Sequence, residues 1–128
     1  MKRLIFALAL SSLSLGAAAR WTPLIVDSMV ITYVDPSLQR GKGGMFKMWW
    51  LVDYQLVQVT DEKGYFSRLQ RSEFDCRGGR VRVLSVALLT QPMGQGEPVF
   101  EDRQPRQWER LQGQPYLQAL ADIACKND

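Results

Sequence analysis

"MFKMWWLVDYQLVQV", residues 45–59, is the strongest strand signal in this chain. Its even positions read Phe46, Met48, Trp50, Val52, Tyr54 and Leu56, an unbroken apolar face, while its odd positions mix Lys47, Trp49, Leu51, Asp53, Gln55 and Val57. A period of two sends successive side chains to opposite faces of a strand. The stretch therefore predicts a long strand at the heart of a sheet, with one face apolar throughout.

Working outward, the same kind of pattern continues on both sides. Upstream, "MVITYV" (residues 29–34) is rich in β-branched residues and stops at the turn signal Asp35-Pro36, and "RGKGG" (40–44) is a flexible connection. Downstream, "DEKG" (61–64) reads as a hairpin turn with Gly64 supplying a positive φ. Residues 65–75 return as a more polar strand, and "CRGGR" (76–80) turns again. Residues 80–90 form a further strand, apolar on both faces after Val83. "QPMGQGEP" (91–98) is a loop, 98–100 a short edge strand, and "RQPRQWERL" (103–111) leads out through Trp108.

From Pro115 the period changes. Leu117, Leu120, Ala121 and Ala124 fall at i, i+3, i+4 and i+7, an amphipathic helix with proline suited to its first turn. A helix of about eleven residues is too short to persist alone in water. Cys125 comes four residues after Ala121 and so lies on the same buried stripe. The fold class is α+β: a single antiparallel, meander-like sheet with a C-terminal helix packed on one face.

The first residues set the compartment. "MKRLIFALALSSLSLGAAAR" opens on Lys2 and Arg3, runs apolar for about 12 residues and ends in the A-x-A pattern of Ala17 and Ala19. This predicts a signal peptide over 1–19, cleavage between Ala19 and Arg20, and one domain over 20–128. The apolar run is short of the roughly 20 residues that span a bilayer, and no later segment is long and apolar enough to do so. No cysteine near the cleavage point offers a lipid attachment, so the expected location is the periplasm, the medium or the cell surface without a lipid anchor. The chain has 16 Lys and Arg against 13 Asp and Glu, and losing Lys2 and Arg3 leaves 14 against 13. With no basic run longer than "RGGRVR", nucleic acid is not an expected partner.

Export also decides the cysteines. There are two, Cys76 and Cys125, and an oxidising compartment pairs them. Closing a loop of about 50 residues stabilises by roughly 4 kcal/mol in the chain-entropy model. The bond and the short helix explain each other: Cys125 ties a marginal helix to the sheet at Cys76.

The order of these features resembles the bacterial surface-adhesin protein E family. The resemblance runs through Trp21, "YVDPSL" (Tyr33, Asp35, Ser37), "MWWLVDY", "EFDC" (Asp75, Cys76) and the arginines after it. It continues through "MGQGEPV" (Gly94, Gly96), Trp108 and Cys125. It implies a sheet of about six strands with the helix held by the disulfide. It also implies an exported envelope protein, adhesin-like, whose partners are host extracellular-matrix proteins or envelope proteins. The alternative is a periplasmic enzyme inhibitor or envelope-assembly subunit.

Residues for catalysis are not assembled by the sequence. The chain has no histidine and no G-x-S-x-G, and metal-ligand spacing is absent, so no cofactor or metal is expected. Glu73 and Asp75 share a strand face, but an acid/base pair needs one of them desolvated. Arg71, Arg77 and Arg80 argue for solvated ion pairs instead. The cluster Trp49, Trp50, Tyr54 suits a core or a ligand pocket, and Met93 is expected to be exposed in its glycine-containing loop. Trp49, Leu51 and Met93 are the candidate interaction surface. Because the central strand and residues 86–89 are apolar on both faces and there is one helix, a homodimer or a bound partner is expected on the second face. The competing expectation is that residues 21–26 and the loops fold across it.

Overall fold

A computed structural model describes residues 21–128. The leader expected over 1–19 and its cleavage point at Ala19 and Arg20 lie outside the described residues. The strands are β1 (Thr22–Val26), β2 (Val30–Val34), β3 (Gln39–Arg40), β4 (Met45–Thr60), β5 (Lys63–Asp75), β6 (Arg80–Leu89), β7 (Pro98–Asp102) and β8 (Glu109–Arg110). A 3₁₀ turn spans Pro92–Gly94, and one helix, α1, spans Pro115–Ala124.

All strands belong to one antiparallel sheet with the meander order β1-β2-β4-β5-β6-β7. The main path has the expected six strands, and the count among the described residues is eight. The additional two are β3, which pairs with β4, and β8, which pairs with β6. Each is a two-residue ladder, too short for a period of two to show in the sequence.

The core lies between the sheet and α1. Phe46, Met48, Trp50 and Val52 of β4, Val34 of β2, Phe74 of β5 and Val81 of β6 meet Leu120, Ala121 and Ala124 of the helix. The two alanines let the helix backbone approach closely, and Leu120 fills the space between with no exposure. Cys76 and Cys125 are bonded, with Cα atoms 5.6 Å apart and a sequence separation of 49. The other end of α1 is held by Tyr116. Its hydroxyl shares a 2.6 Å hydrogen bond with Thr32 Oγ1, and its ring lies 5.9 Å from that of Trp50. Tyr116 is pushed above its ordinary pKa by burial, which the Thr32 hydrogen bond and the Arg68 charge oppose.

The apolar face of β4 ends sooner than its sequence does. Leu56, Val57 and Val59 are exposed, because the β4–β5 hairpin extends past the helix. Its turn corrects a sequence expectation. Thr60 pairs with Lys63, so the loop is Asp61-Glu62, and these two residues take the positive φ values of 46° and 64°. Gly64 is already in β5. Two positive φ values in a two-residue loop match the twist of the flanking strands, at a cost for residues bearing a Cβ. Replacing Asp61-Glu62 with Asn-Gly is expected to stabilise the protein by about 1 kcal/mol, read as a higher urea midpoint with an unchanged slope.

The second face receives its own partial cover. The segment 91–97 folds back across it, tied by three hydrogen bonds. The Met93 N–H donates to Asp53 Oδ1 (3.0 Å) and the Gly94 N–H to Ser67 Oγ (2.9 Å), while Ser67 Oγ donates to the Gln91 carbonyl (2.7 Å). Residues 22–26 do not cross this face. They form the edge strand β1, paired to β2.

Candidate functional site

The cover on the second face is incomplete, and what it leaves open is a shallow trough of about 610 Å³. Its position follows from strand register. Trp49 pairs with Arg71 and Leu51 with Leu69 across β4 and β5, and Leu69 pairs with Ala87 and Ala87 with Glu101 across β6 and β7. Cross-strand partners share a face. The row therefore gives an apolar floor, Leu69 and Ala87, between a tryptophan-arginine wall and an ionic rim. Leu84 joins the floor because it is the extra residue of a bulge: Arg71 pairs with Ser85 and Ser72 with Val83.

Trp49 is 37% exposed, and the Arg71 guanidinium lies 5.5 Å from its ring centroid. Arg71 also donates to Gln39 Oε1, so the guanidinium is held from both sides. On the far rim Arg103 and Glu101 stand 3.8 Å apart, both well exposed. Such a pair contributes little to stability and is free to exchange partners. The trough offers an aromatic ring, a positioned cation and a rim carrying both charges. That combination suits contact with another surface.

The sequence-predicted residues are divided by the structure. Trp49 lines the trough. Leu51 does not belong to any surface: it is fully buried, since the 3₁₀ turn lies over it, and a Cβ on Gly94 would come within 3.3 Å of its methyl group. Met93 is half-buried instead of exposed, in a left-handed conformation with φ 58°, and it does not line the trough. Trp50 is core and Tyr54 is half-buried. Arg71, Glu101 and Arg103 were not singled out from the sequence for this surface. The pairing of β4 with β5 is the signal that brings Arg71 to Trp49.

The carboxylates Glu73 and Asp75 form separate ion pairs. Arg82 meets Glu73 at 2.7 Å and Arg80 meets Asp75 at 2.8 Å. The acids are more shielded than expected, with 12% and 10% of their side chains exposed. Both arginines lie over the Trp108 ring, Arg80 at 4.3 Å and Arg82 at 4.7 Å. Asp75 is held below its ordinary pKa of 3.8 by the Arg80 hydrogen bond and then by the Gly78 N–H, against the opposing effect of burial. A depressed carboxylate stabilises the fold above its unfolded pKa and ceases to do so as pH falls through its folded one. Asp75→Asn is expected to cost about 1 kcal/mol at neutral pH. The gap from the parent should close as pH drops below 3.8, followed by urea midpoints across an acid series. Among the described residues no group of three or more Asp, Glu or Cys is placed to hold a metal ion, and no helix is long and apolar enough to cross a membrane.

The model of the surface-adhesin protein E family matches residues 21–126. No curated protein matches the chain by sequence. Among solved structures, crystal form II of Haemophilus influenzae protein E superposes with a TM-score of 0.63 at 19% identity, covering 87% of this chain and 98% of that one. Protein E from non-typeable Haemophilus influenzae gives 0.63 at 18% identity, covering 87% and 80%. A selenomethionine form of Haemophilus influenzae protein E gives 0.62 at 19%, covering 82% and 92%. At these identities the likeness is one of fold.

Proposed function

Because the chain belongs to the surface-adhesin protein E family, we propose that it is an exported, adhesin-like binding protein whose second sheet face contacts other proteins through the Trp49 trough. The observation that carries this reading is the exposed Trp49 held against Arg71 beside an open apolar floor. Tryptophan and arginine are the residues on which binding energy concentrates in protein interfaces. The partners are host extracellular-matrix proteins, and the form that meets them begins at Arg20 after removal of 1–19. A second copy of the chain is the competing occupant of the same face.

The test is surface plasmon resonance of the purified protein against a panel of extracellular-matrix glycoproteins. Trp49→Ala is expected to weaken binding by about tenfold or more. Arg103→Glu, which reverses a charge on the rim, should act mainly on the association rate and its salt dependence. Variants that bind like the parent would remove the trough from the interface. Sedimentation of a stable dimer that Trp49→Ala dissociates would assign the face to self-association.

A further inference from the structure

A second concavity lies on the helix face, separate from the trough. It is a hollow of about 460 Å³ between α1 and the sheet, walled by Trp50, Val81, Tyr116 and Leu117, with Arg68 and Gln70 among its lining residues. That volume falls within the range of small-ligand clefts, roughly 300–1,000 Å³.

Arg68 is out of place there unless something joins it. It sits on β5 between Val52 and Leu88, both buried, and its charge acts on Tyr54 and Tyr116 at either side. The ion pairs among the described residues use Arg77, Arg80, Arg82, Arg103 and Arg106. Arg68 enters none of them and, among the described residues, makes no side-chain hydrogen bond. Its Nε is buried without a partner, and so is Oε1 of Gln70, two residues along the same face. Gln70 as a whole is 5% exposed. Glu109 also lines the hollow but does not pair with Arg68. Buried polar groups are nearly always satisfied, and a partly buried cation calls for an anion.

We propose that this hollow binds a carboxylate carried on an apolar body, in the form of the C-terminal residue of a peptide with a phenylalanine or leucine side chain. The planar guanidinium of Arg68 matches a carboxylate by two parallel hydrogen bonds. The apolar side chain lies against Trp50, Val81 and Tyr116, and a turn of the Gln70 amide, whose Oε1 is closed to solvent in the free protein, presents an acceptor to the terminal peptide N–H. Nothing in this site depends on the trough.

The experiment is a titration of the isotope-labelled protein with N-acetyl-phenylalanine, followed by two-dimensional NMR. Saturable shifts are expected at the backbone amides of Gln70, Tyr116 and Leu117 and at the Trp50 indole. N-acetyl-phenylalaninamide, which lacks the charge, is expected to produce none at the same concentration. Arg68→Gln should weaken binding at least about tenfold without lowering the thermal midpoint, because the arginine it removes has no partner to lose. Arg68→Lys should retain part of the affinity. Equal binding of the amide, or the absence of shifts, would overturn the proposal. Benzoate binding as tightly as N-acetyl-phenylalanine would overturn the peptide assignment.

Discussion

Replacing Cys76 and Cys125 together with serine lowers the unfolding free energy by about 4 kcal/mol. The closed loop spans 49 residues, and its entropy in the unfolded chain supplies most of that figure. The effect does not stop at loop entropy. α1 has ten residues and no side-chain cap hydrogen bond at Gln114, so it is short of the length at which an isolated helix persists. Without the bond its last turn is held by the packing of Ala121, Ile123 and Ala124. Urea unfolding under oxidising conditions measures the loss, and amide exchange should show residues 115–124 opening before the sheet. A loss under about 1 kcal/mol would mean that packing alone holds the helix.

Phe74→Ala is expected to cost about 3–5 kcal/mol. Phe74 is completely buried at the centre of the core, paired with Phe46 on one side and Val81 on the other. All three belong to the sheet, where backbone pairing on both flanks of β5 limits collapse into the vacated space. The cost should therefore fall in the upper part of the usual range for large-to-small replacements. Phe74→Leu keeps most of the volume and is expected to cost about 1–1.5 kcal/mol. Equilibrium denaturation of both variants gives the comparison. Similar losses for the two would show that the site relaxes.

The helix, its buried stripe, the disulfide and the run of strands were legible in the sequence because each depends on local period or on a covalent partner. Of the site only Trp49 was, and the reason lies in the β4–β5 hairpin. From its turn, Thr60 faces Lys63 and Gln58 faces Tyr65; farther in, Asp53 faces Ser67 and Trp49 faces Arg71. Residues 54–57 of β4 stand opposite a single residue, Phe66, of β5. Counting outward from the turn would place Phe74 opposite Trp49. The irregularity shifts register by three residues and exchanges the two faces of β5 relative to β4, bringing Arg71 to the tryptophan. Local propensity does not encode that shift. It is set by which face of β5 must be buried, Phe74 against the helix.

Leu51 shows a related limit. Its alternation with Trp49 puts both on the second face correctly, but exposure on that face depends on a loop some forty residues later. Asp53 and Ser67 look like ordinary polar strand residues in the sequence. In the fold they anchor the loop that buries Leu51.

The bond between Cys76 and Cys125 also determines how the molecule bears mechanical load. When the protein is pulled between residue 21 and residue 128, tension enters β1, passes through β2, β3, β4 and β5, and crosses directly from Cys76 to Cys125. Strands β6, β7 and β8 and the whole of α1 lie inside the covalent loop and carry no backbone tension. About 160 Å of contour is thereby withheld from extension. The floor of the trough on β6 and its rim on β7 belong to that shielded part, whereas Trp49 and Arg71 sit on the loaded strands. An attachment under flow would strain one wall of the trough while leaving the opposite wall at rest.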